Sequence, residues 1–553
     1  MCNVSIQTRE RTKYLKKKIA LINKINLIII RVSKMDPITI SLLIILLTAF
    51  LYIVHRAWKA NQYWKERGVP HAEGSLFFGN LLPVLLRKMS PGELHEMFCK
   101  QFPNEPLFGF YEFMKPTLIV KDSDYIEMIF IKHFANFMDH GIIQIDDEEN
   151  PTESNLFSTN GKRWKAVRCR LSPIFSTGKL KLMFESMKGC GEELIKQLDK
   201  GEKEDVELKD IISCFAMDTI GSCAFGIDSG SLSKPDCEFR QMGKQVFKMD
   251  ISTFIKLTIL MHAPRLAKFL NLTFSKPKIL KYFSGIIKDT MKYRRENGYL
   301  RNDILQLLMQ LQLKGYVEMH SRDAATDDYF DMDITTLCTE KFELSDDQIT
   351  GHVISFLTGG FDTTAMSILF TLYELSRNPK IQEKVREEIL KEVEHAGSMS
   401  YNAIKDMHYL ERCVKETLRI YPPAQMLGRI CTNKYTFPNE ITIEPGQSVL
   451  IPVMAVHNDP KYFPEPEVFR PERFDPGNTI PACAYLPFGN GPRMCIAMRF
   501  AMLEIKYCIA TLLRNYIVTL SSKTKQPITL SALSFVTKPK ETLYFNIKKI
   551  INQ

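Results

Sequence analysis

The part of the chain that decides its fold reads FGNGPRMCIA at positions 488–497. A loop with two glycines and a proline leads directly into helix-forming residues, so Cys495 is predicted at a helix N-terminus. There, free backbone N–H groups and the positive end of the helix dipole lower the pKa of a thiol. Gly489 and Gly491 allow a tight turn and a close backbone approach. Arg493 is a fixed cation of the kind that pairs with a carboxylate.

A flat tetrapyrrole with two propionates would use each part of this loop. The thiolate would be the axial ligand of the iron, where it pushes electron density onto the metal and favours O–O cleavage. The alternative is a buried structural cysteine, which we expect for most of the thirteen cysteines. No two of them form a C-x-x-C motif, so neither a zinc ribbon nor a disulfide scaffold is expected.

The ten residues resemble the haem-binding signature of the cytochrome P-450 family, except that Ala497 stands where that family usually has glycine. The resemblance implies heme b as the cofactor, with Cys495 as the metal ligand. It implies cofactor contacts from Phe488, Gly491 and Arg493. The fold it implies is the cytochrome P-450 fold, mainly α with small β-sheets, preceded by an N-terminal transmembrane anchor helix.

Helical signals dominate the chain, in agreement with that fold. Ser345 and Gln348 form a capping-box pattern, and an apolar run follows it. A helix over 346–378 would be about 50 Å long and would cross the whole molecule. Short β-rich segments are predicted at 435–453 and 542–550, which completes a mainly α protein with small sheets.

The sequence GGFDTT at 359–364 lies in the middle of this long helix. Two glycines there cost about 1 kcal/mol each relative to alanine, which suggests that a flat group approaches the helix closely. An acid and a hydroxyl beside that gap can relay protons. The motif resembles the family's [A/G]-G-x-[D/E]-T-[T/S], which implies that Asp362 and Thr363 are the catalytic acid–alcohol pair. The alternative is a local hydrogen bond from Thr363 to the backbone and a solvated Asp362.

Glu416 and Arg419 share one face of a helix predicted from about 402 to 420. Alone, this i,i+3 pair is most often a surface ion pair. The segment FRPERF at 469–474 follows about fifty residues later, and the resemblance implies that its Arg473 joins the pair. The three residues would form a structural triad behind the haem.

Trp164 and Arg168 are four residues apart on a predicted helix, and the resemblance implies that both face a haem propionate. It implies a third propionate contact from Arg429. For either arginine alone, a surface charge is the alternative. Further basic residues around Trp164 form a basic patch, and the resemblance implies that this face receives an acidic flavoprotein reductase. These residues are Lys162, Arg163, Lys165 and Arg170.

Residues 38–54 carry no charge and are followed by basic residues, which predicts a transmembrane anchor with the body in the cytosol. A buried core helix is the alternative. Residues 1–34 carry eight net positive charges, which contradicts this orientation, and we expect translation to begin at Met35. The predicted parts are a basic extension (1–34), a signal-anchor (35–54), a linker (55–75) and a haem-binding monooxygenase domain (76–553).

The formal charge is +10, but residues 1–34 supply most of it, so the body is nearly neutral and no nucleic-acid partner is expected. FAMDTIGSCAFGI at 215–227 and RNDILQLLMQ at 301–310 resemble the arthropod microsomal branch associated with xenobiotics. The resemblance implies a monooxygenase of the endoplasmic reticulum membrane, with its catalytic domain on the cytosolic face.

The implied reaction inserts one oxygen atom of dioxygen into a hydrophobic small molecule. The implied partners are NADPH-cytochrome P-450 reductase, with cytochrome b5 as an optional second donor, and a lipid membrane. Substrate contacts are implied near Leu533 and Phe535, among other positions. A haem-thiolate isomerase or dehydratase that works without dioxygen, and a non-enzymatic haem protein, remain as alternatives. An intact Asp362–Thr363 pair argues against both.

Overall fold

The computed structural model describes residues 36–141, 150–315 and 344–550, apart from residues 202, 247, 249, 274, 533 and 535. The predicted basic extension over 1–34 and the start at Met35 lie outside the described residues. The implied substrate contacts at Leu533 and Phe535 also lie outside them.

Most of the described chain is helical, and polar side chains fix where several helices begin. Ser90, Asp303 and Ser345 each accept a hydrogen bond from a backbone N–H of the first helical turn. The α-helices are α1 (Pro37–Ala60), α2 (Tyr63–Glu66), α3 (Leu82–Leu85), α4 (Pro91–Gln101), α5 (Ser123–Glu127), α6 (Gly161–Leu171), α7 (Thr177–Lys200), α8 (Leu208–Ile220), α9 (Glu238–Val246), α10 (Ile251–His262), α11 (Pro264–Phe269), α12 (Pro277–Asn297), α13 (Ile304–Lys314), α14 (Asp346–Arg377), α15 (Pro379–Ala396), α16 (Tyr401–Asp406), α17 (His408–Ile420), α18 (Val453–His457) and α19 (Met498–Asn515).

The described strands form three small sheets, as predicted for a mainly α protein. The strands are β1 (Leu107–Glu112), β2 (Lys115–Val120), β3 (Leu427–Ile430), β4 (Tyr435–Thr436), β5 (Thr442–Ile443), β6 (Ser448–Ile451), β7 (Tyr516–Leu520) and β8 (Phe545–Lys549). The largest sheet has the order β1-β2-β6-β3, with β2 and β6 parallel and the other pairs antiparallel. In it, Arg429 of β3 pairs with Val449 of β6.

The long buried helix predicted over 346–378 is α14, which begins at Asp346 and ends at Arg377. The predicted capping box is present, because Ser345 and Gln348 each accept the other's backbone N–H with a side-chain oxygen. Its 32 residues span roughly 48 Å. Since it packs along α8 and α19 within the largest hydrophobic cluster, it forms the central axis of the molecule.

The helix predicted from about 402 to 420 is interrupted. Its first part ends at Asp406 and its second begins at His408. Met407 between them has a ψ of 79°, which is outside the helical region, and its side chain is fully buried. The chain therefore bends to place this methionine in the core.

The N-terminal apolar segment forms a longer helix than predicted. α1 continues from Pro37 to Ala60, and it is long and apolar enough to cross a membrane. α14 meets the same criterion but is mostly buried in the protein, whereas the apolar stretch of α1 is not. The predicted linker over 55–75 is partly packed on the body, since Trp64 is fully buried and donates a hydrogen bond to the carbonyl of Phe110.

Candidate cofactor and active site

The loop over 488–497 is held in a narrow turn. Gly489 and Gly491 have φ angles of +74° and +69°, in the left-handed region that favours glycine. A Cβ at Gly491 would clash with the carbonyl of Phe130, so this glycine is required for close backbone approach. The N–H of Cys495 donates to the carbonyl of Phe488 at 2.8 Å, which closes the turn at the cysteine.

Cys495 is exposed, yet it lies deep enough that burial raises the pKa of its thiol. A side chain that is accessible and yet surrounded by protein faces an internal space, so Cys495 lines such a space. The backbone N–H of Ala497 and the charge of Arg168 oppose the effect of burial. The expected net lowering by a helix N-terminus is wrong for the protein alone, because α19 begins only at Met498 and burial dominates.

Arg168, Arg429 and Arg493 form a cluster of positive charge, and Arg168 acts electrostatically on Cys495. Burial lowers the pKa of Arg168 to about 10 and those of Arg429 and Arg493 to about 9. Among the described residues, Asp139 alone forms an ion pair with any of them, at 3.8 Å from Arg493. Positive charge therefore exceeds negative charge by two, and Nε of Arg429 is buried without a hydrogen-bond partner.

Uncompensated charge in the interior is strongly unfavourable, so this cluster requires anions that the described residues do not supply. A tetrapyrrole with two propionates carries the missing two charges and a metal for Cys495. The residues present therefore fit the predicted cofactor.

Arg493 makes most of its contacts in this cluster with the protein itself. Its guanidinium stacks 4.1 Å from the ring centre of Trp164. It donates to three backbone carbonyls, those of Met138, Leu156 and Thr159. Most of its donors are thus used to fix the surrounding chain, and Arg168 and Arg429 have more donors free for a bound carboxylate.

His140 also belongs to the cluster, although the sequence analysis missed it. Its Nδ1 accepts a hydrogen bond from Arg429 at 3.1 Å, and its ring stacks on Phe157. Burial, followed by the charges of Arg429, Arg493 and Arg168, holds the pKa of His140 well below its usual value. The hydrogen bond from the ring to the carbonyl of Gly428 opposes this effect, and it occupies a ring N–H of His140.

The middle of α14 borders an open space. Gly359 is exposed although its helix is mostly buried, and a Cβ there would meet nothing within 4 Å. A Cβ at Gly360 would lie 2.8 Å from Cδ1 of Ile220, so packing against α8 explains this second glycine. The prediction that both glycines make room for a flat group is therefore wrong for Gly360.

Asp362 and Thr363 have different surroundings on this helix. The hydroxyl of Thr363 donates to the carbonyl of Gly359 at 2.6 Å, which is the local bond considered as an alternative. Asp362 is buried rather than solvated, and its Oδ2 lies 2.5 Å from Nζ of Lys538. The hydroxyl oxygen of Thr363 can still accept a hydrogen bond, and a charged acid lies beside it in sequence.

Glu416, Arg419 and Arg473 meet in a buried cluster. Both carboxylate oxygens of Glu416 accept hydrogen bonds from Arg419 at 2.9 Å, and one accepts another from Arg473 at 3.1 Å. The remaining donors of both arginines reach backbone carbonyls, including that of His457. The triad connects α17 to the segment before the loop at 488–497.

The basic residues around Trp164 divide into two groups. Lys162, Arg163 and Lys165 are exposed on α6. Arg170 is buried and donates to the carbonyl of Ala166, so its predicted place in a surface patch is wrong.

The chain is similar to known proteins over most of its length. A family model described as Cytochrome P450 matches residues 70–545. Cytochrome P450 9e2 of Blattella germanica is 36% identical over 520 residues, which cover 90% of this chain and 95% of that protein. Probable cytochrome P450 6d5 of Drosophila melanogaster is 35% identical over 485 residues, which cover 86% and 93%. Cytochrome P450 6k1 of Blattella germanica is 34% identical over 498 residues, which cover 89% and 93%.

Proposed function

Since the chain belongs to the cytochrome P450 family of haem-thiolate monooxygenases, we propose that it inserts one oxygen atom of dioxygen into a hydrophobic small molecule. The observation that carries the proposal is the excess of two positive charges, counted over the described residues, near the accessible Cys495. Bound haem supplies an iron that activates dioxygen, and a thiolate ligand favours O–O cleavage.

The protein's own part begins with holding that cofactor. Cys495 would bind the iron, while Arg168 and Arg429 would bind the two propionates and His140 would position the Arg429 guanidinium. Arg493 and Trp164 stack on each other and keep the cluster in place. The narrow turn at Gly491 allows the loop to approach closely.

Asp362 and Thr363 would manage the protons that the reaction consumes. The Thr363 hydroxyl is fixed by its bond to Gly359, so its oxygen has one defined direction in which to accept a proton donor. Asp362 is the neighbouring acid in sequence and would act as the general acid that passes protons to this hydroxyl. The open space beside Gly359 would hold the substrate.

The electron donor is proposed to be NADPH-cytochrome P-450 reductase, with cytochrome b5 as an optional second donor. Lys162, Arg163 and Lys165 are exposed cations on the helix that carries Trp164 and Arg168, close to the cofactor residues. An acidic partner would be steered to them. α1 would anchor the chain in the endoplasmic reticulum membrane, with the body in the cytosol.

The experiment uses the full chain with reductase, NADPH and isotopically labelled dioxygen on a panel of hydrophobic molecules. We expect one labelled oxygen atom per product molecule. Product formed without label, or without NADPH consumption, would contradict the proposal and favour an isomerase or dehydratase.

Thr363→Ala tests the proton route within the same assay. We expect this variant to retain haem and to divert reducing equivalents to hydrogen peroxide. The reason is that the Thr363 hydroxyl is no longer present to direct protons to the site of oxygen reduction. The measurement is peroxide and product formed per NADPH. An unchanged product yield would remove Thr363 from the mechanism.

A further inference from the structure

The ion pair between Asp362 and Lys538 is unexplained by the cofactor site. The side chain of Asp362 is 7% exposed and that of Lys538 is 17% exposed, so both charges are largely withdrawn from water. A buried carboxylate that loses its cation is strongly destabilised. The geometry points to Lys538 as the positioning residue of the proton route: it holds the Asp362 carboxylate in the orientation from which a proton is delivered to Thr363.

Lys538 comes from a hairpin that is firmly attached to the wall of the site. Within the hairpin, the N–H of Lys540 donates to Thr529 and that of Ser531 donates to Lys538. Thr537, next to Lys538, donates its N–H to the carbonyl of Pro423 at 3.0 Å. The backbone N–H of Thr537 and the backbone carbonyl of Lys538 are both hydrogen-bonded. The backbone of Lys538 is therefore fixed, and its side chain approaches α14 from one direction.

The segment that holds the hairpin also leads to the cofactor site. The hydroxyl of Thr537 donates to the carbonyl of Pro422, and Val536 forms a β-bridge with Ala424. A few residues later the chain enters β3, which carries Arg429. The orientation of Asp362 is therefore tied to the same strand that would hold a propionate.

Asp362 and Thr363 are consecutive on a helix, so their side chains leave it about 100° apart. Thr363 donates to Gly359, and Asp362 is held by Lys538 on another side of α14. Without the lysine, the carboxylate would turn toward other donors, and its position relative to Thr363 would be lost. Proton delivery would then slow, while electron delivery would continue.

This inference rests on the proposed function, and its test uses the full chain with haem and reductase. Lys538→Met is compared with Lys538→Arg, which keeps the charge, and with Lys540→Met, a matched control on the exposed side of the same hairpin. Lys538→Met is expected to lower product per NADPH about 3- to 10-fold, to raise peroxide correspondingly and to enlarge the solvent isotope effect. Lys538→Arg should restore most of the yield, and Lys540→Met should match the wild type.

A double-mutant cycle decides whether Lys538 acts through Asp362. In the Asp362→Asn background, Lys538→Met should lower the yield no further. An equal loss in both backgrounds, or a wild-type yield in Lys538→Met alone, would overturn the inference.

Misfolding is checked by a second oxidant. An organic hydroperoxide brings oxygen already reduced to the peroxide level, so Lys538→Met should keep most of its hydroperoxide-driven product. A parallel loss of both activities would mean that the lysine serves only the fold, which would also overturn the inference. If the wild type forms no oxygenated product under any condition, the proposed function fails instead.

Discussion

Two buried clusters of arginine in this protein differ in where their negative charge comes from. Arg419 and Arg473 share the carboxylate of Glu416, with every contact at about hydrogen-bond length. Among the described residues, Arg168, Arg429 and Arg493 have only the more distant Asp139. In the first cluster a carboxylate lies between the two guanidinium groups at hydrogen-bond distance, whereas in the second no described carboxylate does, and the two propionates of a bound cofactor would supply that contact. The difference teaches that missing countercharge, rather than buried charge itself, marks a ligand site.

Removal of the Glu416 carboxylate, the negative charge between Arg419 and Arg473, should have the largest effect on the stability of the protein. Glu416→Gln leaves two buried guanidinium groups without a carboxylate and should lower the free energy of unfolding by about 3–5 kcal/mol. The measurement is denaturant unfolding of the purified protein, with an exposed carboxylate variant, Glu467→Gln, as control. Extra haem during expression should not rescue Glu416→Gln, and a full rescue would contradict the distinction between the clusters.

Loss of an arginine from the incomplete cluster should act on cofactor retention. Arg429→Gln removes a partner of the bound carboxylate at a cost of about 2–3 kcal/mol, or roughly 30- to 150-fold in haem affinity. The measurement is the rate of haem transfer to an excess of a haem-binding acceptor protein. Extra haem during expression should restore loading of this variant, since binding follows mass action. Wild-type transfer rates would show that Arg429 does not hold the cofactor.

Arg493→Lys should have an intermediate effect. The lysine keeps the positive charge but loses the stack on Trp164 and the fork that reaches three carbonyls. We expect a loss of about 1–2 kcal/mol in unfolding free energy and little change in haem transfer. Haem loss as fast as in Arg429→Gln would mean that Arg493 binds the cofactor directly.

The pH dependence of His140 should be the smallest effect. Since burial and the three arginines lower its pKa, the unfolded chain binds a proton more readily than the folded one. The stability due to this group is therefore lost as the pH falls below about 6.5, the unfolded-state value. His140→Gln should lose less stability than the wild type between pH 7.5 and pH 5.5, measured by thermal unfolding. Equal losses of stability in His140→Gln and the wild type would show that protonation of His140 does not contribute to the pH dependence.

Local signals explain why much of the fold was predictable. The capping box at Ser345 and the apolar run behind it depend on neighbouring residues, and α14 forms as predicted. The glycines and proline around Cys495 likewise fix a local turn. The interruption at Met407 was missed because it depends on what the methionine packs against in the core.

The charges of the site were harder to predict because their partners are distant in sequence. His140 and Arg429 are 289 residues apart, and nothing near either one indicates the other. The pairing of Asp362 with Lys538 and the burial of Arg170 were missed for the same reason, because both depend on parts of the chain that are distant in sequence. The net effect on the Cys495 thiol also depends on total burial, which outweighs the local helix terminus.

The most direct test of the account is the carbon-monoxide spectrum of the reduced, haem-loaded protein. Wild type, Cys495→Ser and the control Cys237→Ser, at a half-buried cysteine, would be compared. We predict a strongly red-shifted Soret band in the wild type and in Cys237→Ser that is lost in Cys495→Ser, because it requires a thiolate opposite carbon monoxide. A band typical of histidine-ligated haem in the wild type, or a red-shifted band that persists in Cys495→Ser, would contradict the assignment of Cys495 as the iron ligand.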